Sequence, residues 1–243
     1  MAESLLLKDK VALVTGASGA LGSAVVKLLL DQGALVVAAY RNAQKFKELA
    51  ESTGEGKTAL SGVEADVTLE TGVERLLGEA IRKHGRVDVL LNLAGGYLGG
   101  QEIAQTQEKD WDFLIDLNLK SAFLCSRAVL PFMMKENYGR IVSVAARPAV
   151  EKKGRVKSGA YAVSKAGVVV LMETIAEEVK KFNITANCIV PSTIDTPENR
   201  RDIPAGDFSK WVKPEDIAAV VLFLASEFAS VTSGAAIPVY GKA

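Results

Sequence analysis

The strongest constraint on this chain is an alternation that runs through its whole length. Residues 10–15, 34–40, 58–64, 87–93, 140–145, 184–190 and 235–239 are short apolar runs bounded by turn residues, the pattern of buried strands. Between them, 21–30, 43–51, 69–84, 106–134, 159–182 and 214–225 repeat apolar residues three and four apart, the spacing of helices with one buried face. Strands that alternate with helices pair in parallel through right-handed crossovers, and a parallel sheet must be covered on both faces. The expected fold is α/β: one domain over 1–243, a doubly wound parallel sheet of about seven strands with helices on both faces. The segment 195–212, with Pro197, Pro204 and Gly206, reads as an irregular, lid-like excursion.

Charge and rare residues exclude several function classes. The 243 residues carry 29 basic and 29 acidic side chains, so no net positive field marks a nucleic-acid or anionic-membrane surface. Cys125 and Cys188 sit in apolar stretches and read as small core residues, and the single histidine, His84, cannot build a multi-histidine metal site. Residues 1–9 lack the pattern of a signal peptide, and no apolar run approaches the roughly 20 residues of a membrane span. A cytoplasmic protein acting on a small-molecule substrate, without metal, nucleic acid or membrane, is expected.

The first strand ends in Thr15-Gly16-Ala17-Ser18-Gly19-Ala20-Leu21-Gly22 and runs straight into a helix. Glycines there permit a tight turn and close approach of a pyrophosphate, and the helix start offers unpaired N–H groups and partial positive charge. At the end of the second strand, where a carboxylate would hold a free ribose, stand Tyr40 and Arg41. Arg41 is suited to a 2′-phosphate, which favours NADP(H) over NAD(H), with NAD(H) kept possible; the alternative is a solvated arginine.

Tyr161 and Lys165 lie four apart at the start of a helix, hence on one face. An ammonium beside a phenol is expected to lower the phenol pKa from about 10 toward neutrality and make it a proton donor or acceptor. Alone, such a pair means little.

In company it means more. The turn at 15–22, Asp66 after the third strand, Asn92-Leu93-Ala94-Gly95 after the fourth, Asn118, Tyr161 with Lys165, and 191–196 after the sixth strand occur in order, and together they resemble the short-chain dehydrogenase/reductase family across almost the whole chain. The resemblance implies a Rossmann-like sheet and a nicotinamide cofactor. It implies that Gly16, Ser18, Gly19, Ala20 and Leu21 hold the pyrophosphate, and that Asp66 and Val67 meet the adenine. Asn92, Ala94 and Gly95 would give adenosine-side backbone contacts. Lys165 would also bind the nicotinamide ribose, with Pro191, Ile194 and Thr196 near the carboxamide. Tyr161 would exchange the proton, and Asn118 would support a water that links Lys165 to solvent. Family members commonly pair their long helices, so a homodimer or homotetramer is expected.

Three departures stand out. Ala20 takes the place of the middle glycine, Ser192 follows Pro191 where glycine is usual, and Ala146 stands where the family carries its substrate-polarising serine. Ser143 lies three residues too early. The stretch 94–100 and the lid resemble the dihydropteridine reductases of this family, which also lack the serine. On that resemblance Tyr97 would stack on a planar substrate beside Ala146, and Trp211 would cover it, although Trp211 reads equally as packing for the helix at Pro214. The expected function is an NAD(P)H-dependent short-chain oxidoreductase with Tyr161 as proton donor, reducing quinonoid dihydropteridine or a similar planar heterocycle. The alternatives are a carbonyl reductase or alcohol dehydrogenase working without the serine, and a non-catalytic dinucleotide sensor.

Overall fold

The computed structural model describes residues 5–242, so the outermost ends of the expected 1–243 domain, and part of the 1–9 segment, lie outside the described residues. Seven strands, β1 (Val11–Thr15), β2 (Leu35–Tyr40), β3 (Leu60–Glu64), β4 (Val89–Asn92), β5 (Gly139–Val144), β6 (Ile184–Pro191) and β7 (Ala236–Val239), form one sheet in the order β3-β2-β1-β4-β5-β6-β7. All six pairings are parallel. The helices are α1 (Ala20–Asp31), α2 (Ala43–Ser52), α3 (Glu70–His84), α4 (Glu108–Leu114), α5 (Ser121–Glu136), α6 (Arg147–Val150), α7 (Gly159–Glu178), α8 (Pro197–Asp202) and α9 (Pro214–Ala225).

The two apolar clusters lie on opposite faces of the sheet. One packs α3, α5 and α7 through Leu76, Val129, Met133, Val168 and Met172. The other packs α1 and α9 through Val25, Leu29, Ile217, Val221 and Leu224. Residues of one strand divide between them, as Leu13 and Val14 do, because successive side chains point to opposite faces. The strand order reverses between β1 and β4, and ligands of open α/β sheets bind outside the strand C-termini at such a crevice.

Five expectations need correction. The helix expected at 106–134 begins at Glu108 and contains a π turn at Ile115–Lys120, which periodicity cannot register because the extra residue only shifts the phase of an already apolar pattern. The helix expected at 159–182 is regular only to Glu178, and β3 starts at Leu60 after a 3-10 turn at Gly54–Ala59. The lid is not irregular: Pro197 at the first turn starts α8, capped by the Thr196 hydroxyl, and a 3-10 turn spans Phe208–Lys210. Finally, Gly159–Glu178 is long and apolar enough to cross a membrane by length and composition, contrary to the expectation that no run would be. Its apolarity has a local cause, since Val168, Met172 and Ile175 pack in the core while Val163 and Val170 remain exposed.

Candidate active site

The Gly-rich turn is built by close approach. Gly16 has a left-handed backbone (φ +65°), and a Cβ there would stand 2.7 Å from the Ala94 nitrogen. A Cβ on Gly22 would stand 2.1 Å from the Gly16 carbonyl oxygen, so α1 can abut the turn only through a glycine. Gly19 is different: it is extended (φ −77°, ψ 170°), and its Cβ would meet only the Gly16 oxygen at 3.4 Å, an ordinary contact. Gly19 caps α1 without a side-chain bond, leaving the first-turn N–H groups of Ala20, Leu21 and Gly22 for an outside acceptor. Ala20 in place of glycine therefore costs the cradle nothing, because it already has helical backbone. Thr15 ties the turn to the next strand: its hydroxyl donates to the Leu91 carbonyl and accepts from the Ala94 N–H at 3.1 Å.

At the far end of the crevice, a cavity of about 230 Å³ is lined by Arg41, Asp66, Leu69, Thr71 and Arg75, among others. Burial pushes the Asp66 carboxyl up, but Thr68, which donates both its hydroxyl (2.7 Å) and its N–H (2.9 Å), together with Arg41 and Lys120, holds it below the usual range. Val67 beside it is buried, Arg41 is exposed, and the Tyr40 ring stacks on Phe46 at 4.7 Å. Arg75, which donates to the Glu64 carbonyl, adds a second cation that sequence reading missed; its signal was only a surface position on α3. Asn92 turns its side chain inward, donating to Ser126 and Ser143, so only its backbone faces the crevice.

The cradle suits a dinucleotide: Gly16 and Gly22 let the turn close tightly against Ala94 and the start of α1, that helix start has unused N–H groups, and Arg41 and Arg75 line the cavity beyond β2 and β3.

At the other end, the π turn carries Asn118 and its side chain is fully engaged. Its Oδ1 accepts from the Gly96 N–H (2.9 Å), while Nδ2 donates to the Gly96 carbonyl (3.1 Å) and to Ser164 Oγ (3.0 Å). Ser164 passes the chain on, donating to the Tyr161 carbonyl at 2.8 Å. Gly95 is a glycine because a Cβ there would sit 2.9 Å from Asn118 Oδ1 and 3.0 Å from Lys165 Nζ. Ser164 is a member that sequence reading missed, and only its place one residue before Lys165 hinted at it.

Lys165 is buried and its Nζ donates to the Val144 carbonyl at 2.7 Å; among the described residues no hydrogen bond joins it to Tyr161. Burial pushes the Tyr161 phenol up to about 12, with Tyr97 adding to the effect, and burial pulls the Lys165 ammonium down to about 8. The expected lowering of the phenol by its lysine neighbour is thus reversed, because desolvation disfavours the charged form of both groups.

Ala146 lies buried at the end of β5 as the N-cap of α6. Ser143 is committed deeper in the strand, where it accepts from Asn92 and donates to the Met172 sulfur. Tyr97 is 64% exposed and meets the Tyr161 ring edge-on at 4.9 Å. Below Pro191, Ser192 donates to the Tyr240 carbonyl, which accounts for a hydroxyl where glycine is usual. The Ile194 carbonyl accepts from Asn199, and Thr196 spends its oxygen capping α8. The lid is packed on itself: Arg200 pairs with Asp195 through two bonds and lies over Phe208, and Phe208 meets Trp211 at 4.7 Å. A Cβ on Gly206 would strike the Trp211 ring, so Trp211 packs against the lid's own residues.

A parallel doubly wound sheet with a glycine cradle at its switch point, and a half-buried Tyr161 with a buried Lys165 beside an Asn clamp, defines a dinucleotide-dependent oxidoreductase. The short chain dehydrogenase family pattern matches residues 10–205, and the chain belongs to that family. It is 33% identical to a 3-oxoacyl-[acyl-carrier-protein] reductase of Thermotoga maritima, over 97% of this chain and 98% of that one. It is 32% identical to a (2S)-[(R)-hydroxy(phenyl)methyl]succinyl-CoA dehydrogenase subunit of Thauera aromatica, over 97% and 96%. Among solved structures, levodione reductase superposes with a TM-score of 0.90 at 25% identity, covering 97% of both chains. ElxO, solved with NADP bound, gives 0.89 at 26%, covering 96% of this chain and 98% of that one.

Proposed function

We propose that this protein is an NADP(H)-dependent reductase of a carbonyl group on a compact, largely apolar substrate. The observation that carries this reading is the set of buried Asn118, Ser164 and Lys165 with half-buried Tyr161, gathered at the C-terminal edge of the sheet beside a dinucleotide cradle. A non-catalytic sensor has no need of such a set. When bound, the nicotinamide supplies a hydride to the acceptor carbon. The chain does the rest. Gly16 and the first turn of α1 hold the pyrophosphate, with Ser18 alongside. Asp66 and Val67 flank the adenine, Ala94 and Gly95 offer backbone to the adenosine side, and Pro191, Ile194 and Thr196 border the carboxamide. Tyr161, held neutral by burial, carries the proton that the reduced oxygen needs. Exposed Tyr97, Leu98, Val156 and Ile203 on the surrounding loops supply apolar surface for the substrate. Names of relatives that act on ketones support the same reading.

A second reading, reduction of quinonoid dihydropteridine, is favoured by Ala146 together with the exposed Tyr97 ring. The two separate when oxidation of NADPH and NADH is followed with ketones, quinones and chemically generated quinonoid dihydropterin. Turnover of ketones supports the first reading; turnover confined to the pterin replaces it with the second.

Two further outcomes follow. Arg41→Ala is expected to raise the KM for NADPH by about tenfold and leave that for NADH nearly unchanged, because a paired charge-assisted bond to the 2′-phosphate is lost. Equal effects on both cofactors refute the contact. The long helices expose Trp111, Phe113 and Phe123 near one end and Val163 and Val170 on α7, the apolar surface a two-fold partner would cover. Sedimentation should give a dimer or tetramer, and Phe123→Asp with Val170→Asp should shift it toward monomer. A reducing, cytoplasmic setting suits two buried free thiols, Cys125 and Cys188.

A further inference from the structure

A carbonyl oxygen that is taking on negative charge is best held by two hydrogen-bond donors, one of which gives up its proton. In this chain position 146, on the substrate side, has only a methyl group. The serine hydroxyls around it are spent: Ser143 on the Met172 sulfur, Ser158 on the Gly154 carbonyl and Ser164 on the Tyr161 carbonyl. One hydroxyl next to Tyr161 is not. The Tyr97 phenol has no hydrogen-bond partner among the described residues, and its ring packs edge-on against Tyr161 with centroids 4.9 Å apart. We infer that Tyr97 supplies the hydrogen bond that Ala146 cannot, donating to the acceptor oxygen beside the proton delivered by Tyr161. This rests on the carbonyl reading above.

The backbone around Tyr97 is fixed on both sides, which an incidental loop aromatic does not require. Gly96, before it, is clamped by both ends of the Asn118 amide. Gly100, after it, donates to the Lys157 carbonyl at 2.7 Å, and Gln101 bridges Ser158, so the loop is stitched to the segment that enters α7 and Tyr161. Gly99 is the seat for the phenol: a Cβ there would stand 2.1 Å from the Tyr97 hydroxyl. Lys157 keeps a left-handed backbone (φ 60°) at this junction, a conformation uncommon for a residue with a side chain and one that the surrounding contacts must hold. Tyr97 is thus anchored at its backbone, free at its hydroxyl and in contact with the proton donor.

In the reaction the carbonyl carbon gains the hydride and the π pair moves onto oxygen. That oxygen takes the Tyr161 proton, and Tyr97 keeps its own proton throughout. No reactant beyond the reduced dinucleotide and the ketone is needed.

The test uses Tyr97→Phe, which keeps the ring, and Tyr97→Leu, which does not. With a ketone that the wild type reduces, Tyr97→Phe should lower kcat by about ten- to hundredfold with KM nearly unchanged, as loss of a donor felt in the transition state does. Adding Ala146→Ser should then restore most of kcat in the Tyr97→Phe background. Such rescue is not available to a residue that merely packs. A Tyr97→Phe protein as active as wild type overturns the inference, and a simultaneous collapse of Tyr97→Leu assigns Tyr97 to stacking alone. Failure of Ala146→Ser to rescue overturns it as well. Wild-type protein inert toward every ketone takes down the carbonyl reading and this inference with it, an outcome distinct from an active enzyme indifferent to Tyr97→Phe.

Discussion

Tyr161→Phe is expected to lower kcat for ketone reduction by about a hundredfold or more, with the dissociation constant for NADPH changed by less than about twofold. The substitution removes one hydroxyl and keeps the ring, so the edge-on contact with Tyr97 and the packing of α7 persist. Cofactor affinity should hold because Gly16, the first turn of α1 and Lys165 are untouched. The size of the rate loss follows from the chemistry: without a proton donor the reduced oxygen must draw on water. The burial that raises Tyr161 to about 12 keeps the phenol protonated in the resting protein, which suits the reductive direction. It also makes the phenol a poor acid until something favours its anion. Lys165, whose Nζ donates to the Val144 carbonyl one helical turn from Tyr161, is the group able to do so. Wild-type rates in Tyr161→Phe would falsify the assignment of the proton donor. Stopped-flow binding of NADPH beside steady-state turnover makes the measurement.

Much of this was legible in the sequence, for a physical reason. A parallel sheet buries both faces of its inner strands, so Val11–Thr15 and Leu35–Tyr40 write themselves as nearly unbroken apolar runs, and their alternation with helices leaves few topologies. The cradle was readable because glycine marks close approach, as at Gly16 and Gly22. The π turn under Asn118 was not, since it changes hydrogen bonding without changing residue type. Nor was the state of the Tyr161 and Lys165 pair: spacing says two groups share a face, but only the surroundings say whether both have lost their water. Trp211 was placed by composition on the lid, yet its partners, Gly206 and Phe208, come from the lid itself.

Lys165→Met should abolish turnover and at the same time stabilise the fold. In the unfolded chain a lysine titrates near 10.5; in the native protein, burial brings Lys165 down to about 8. At about 1.4 kcal/mol per pKa unit, housing this charge costs the fold about 3 kcal/mol at neutral pH. The sign with pH follows from counting protons. Below pH 8 both states are protonated and the whole cost is present. Between 8 and 10.5 the unfolded chain holds a proton that the folded one has released, so this group's contribution to stability rises with pH; above 10.5 both are neutral and the cost is gone. Methionine occupies the same buried space beside Gly95 without a charge, at the loss of one hydrogen bond to the Val144 carbonyl worth about 1 kcal/mol. The variant should therefore melt about 5 °C above the wild type at pH 7, and the gap should close as the pH approaches 10. A variant that melts at or below the wild type at pH 7, or a gap that widens with pH, contradicts a charge held at a cost. The expected pattern, more stable and inactive, marks Lys165 as a residue retained for chemistry against the preference of the core around it.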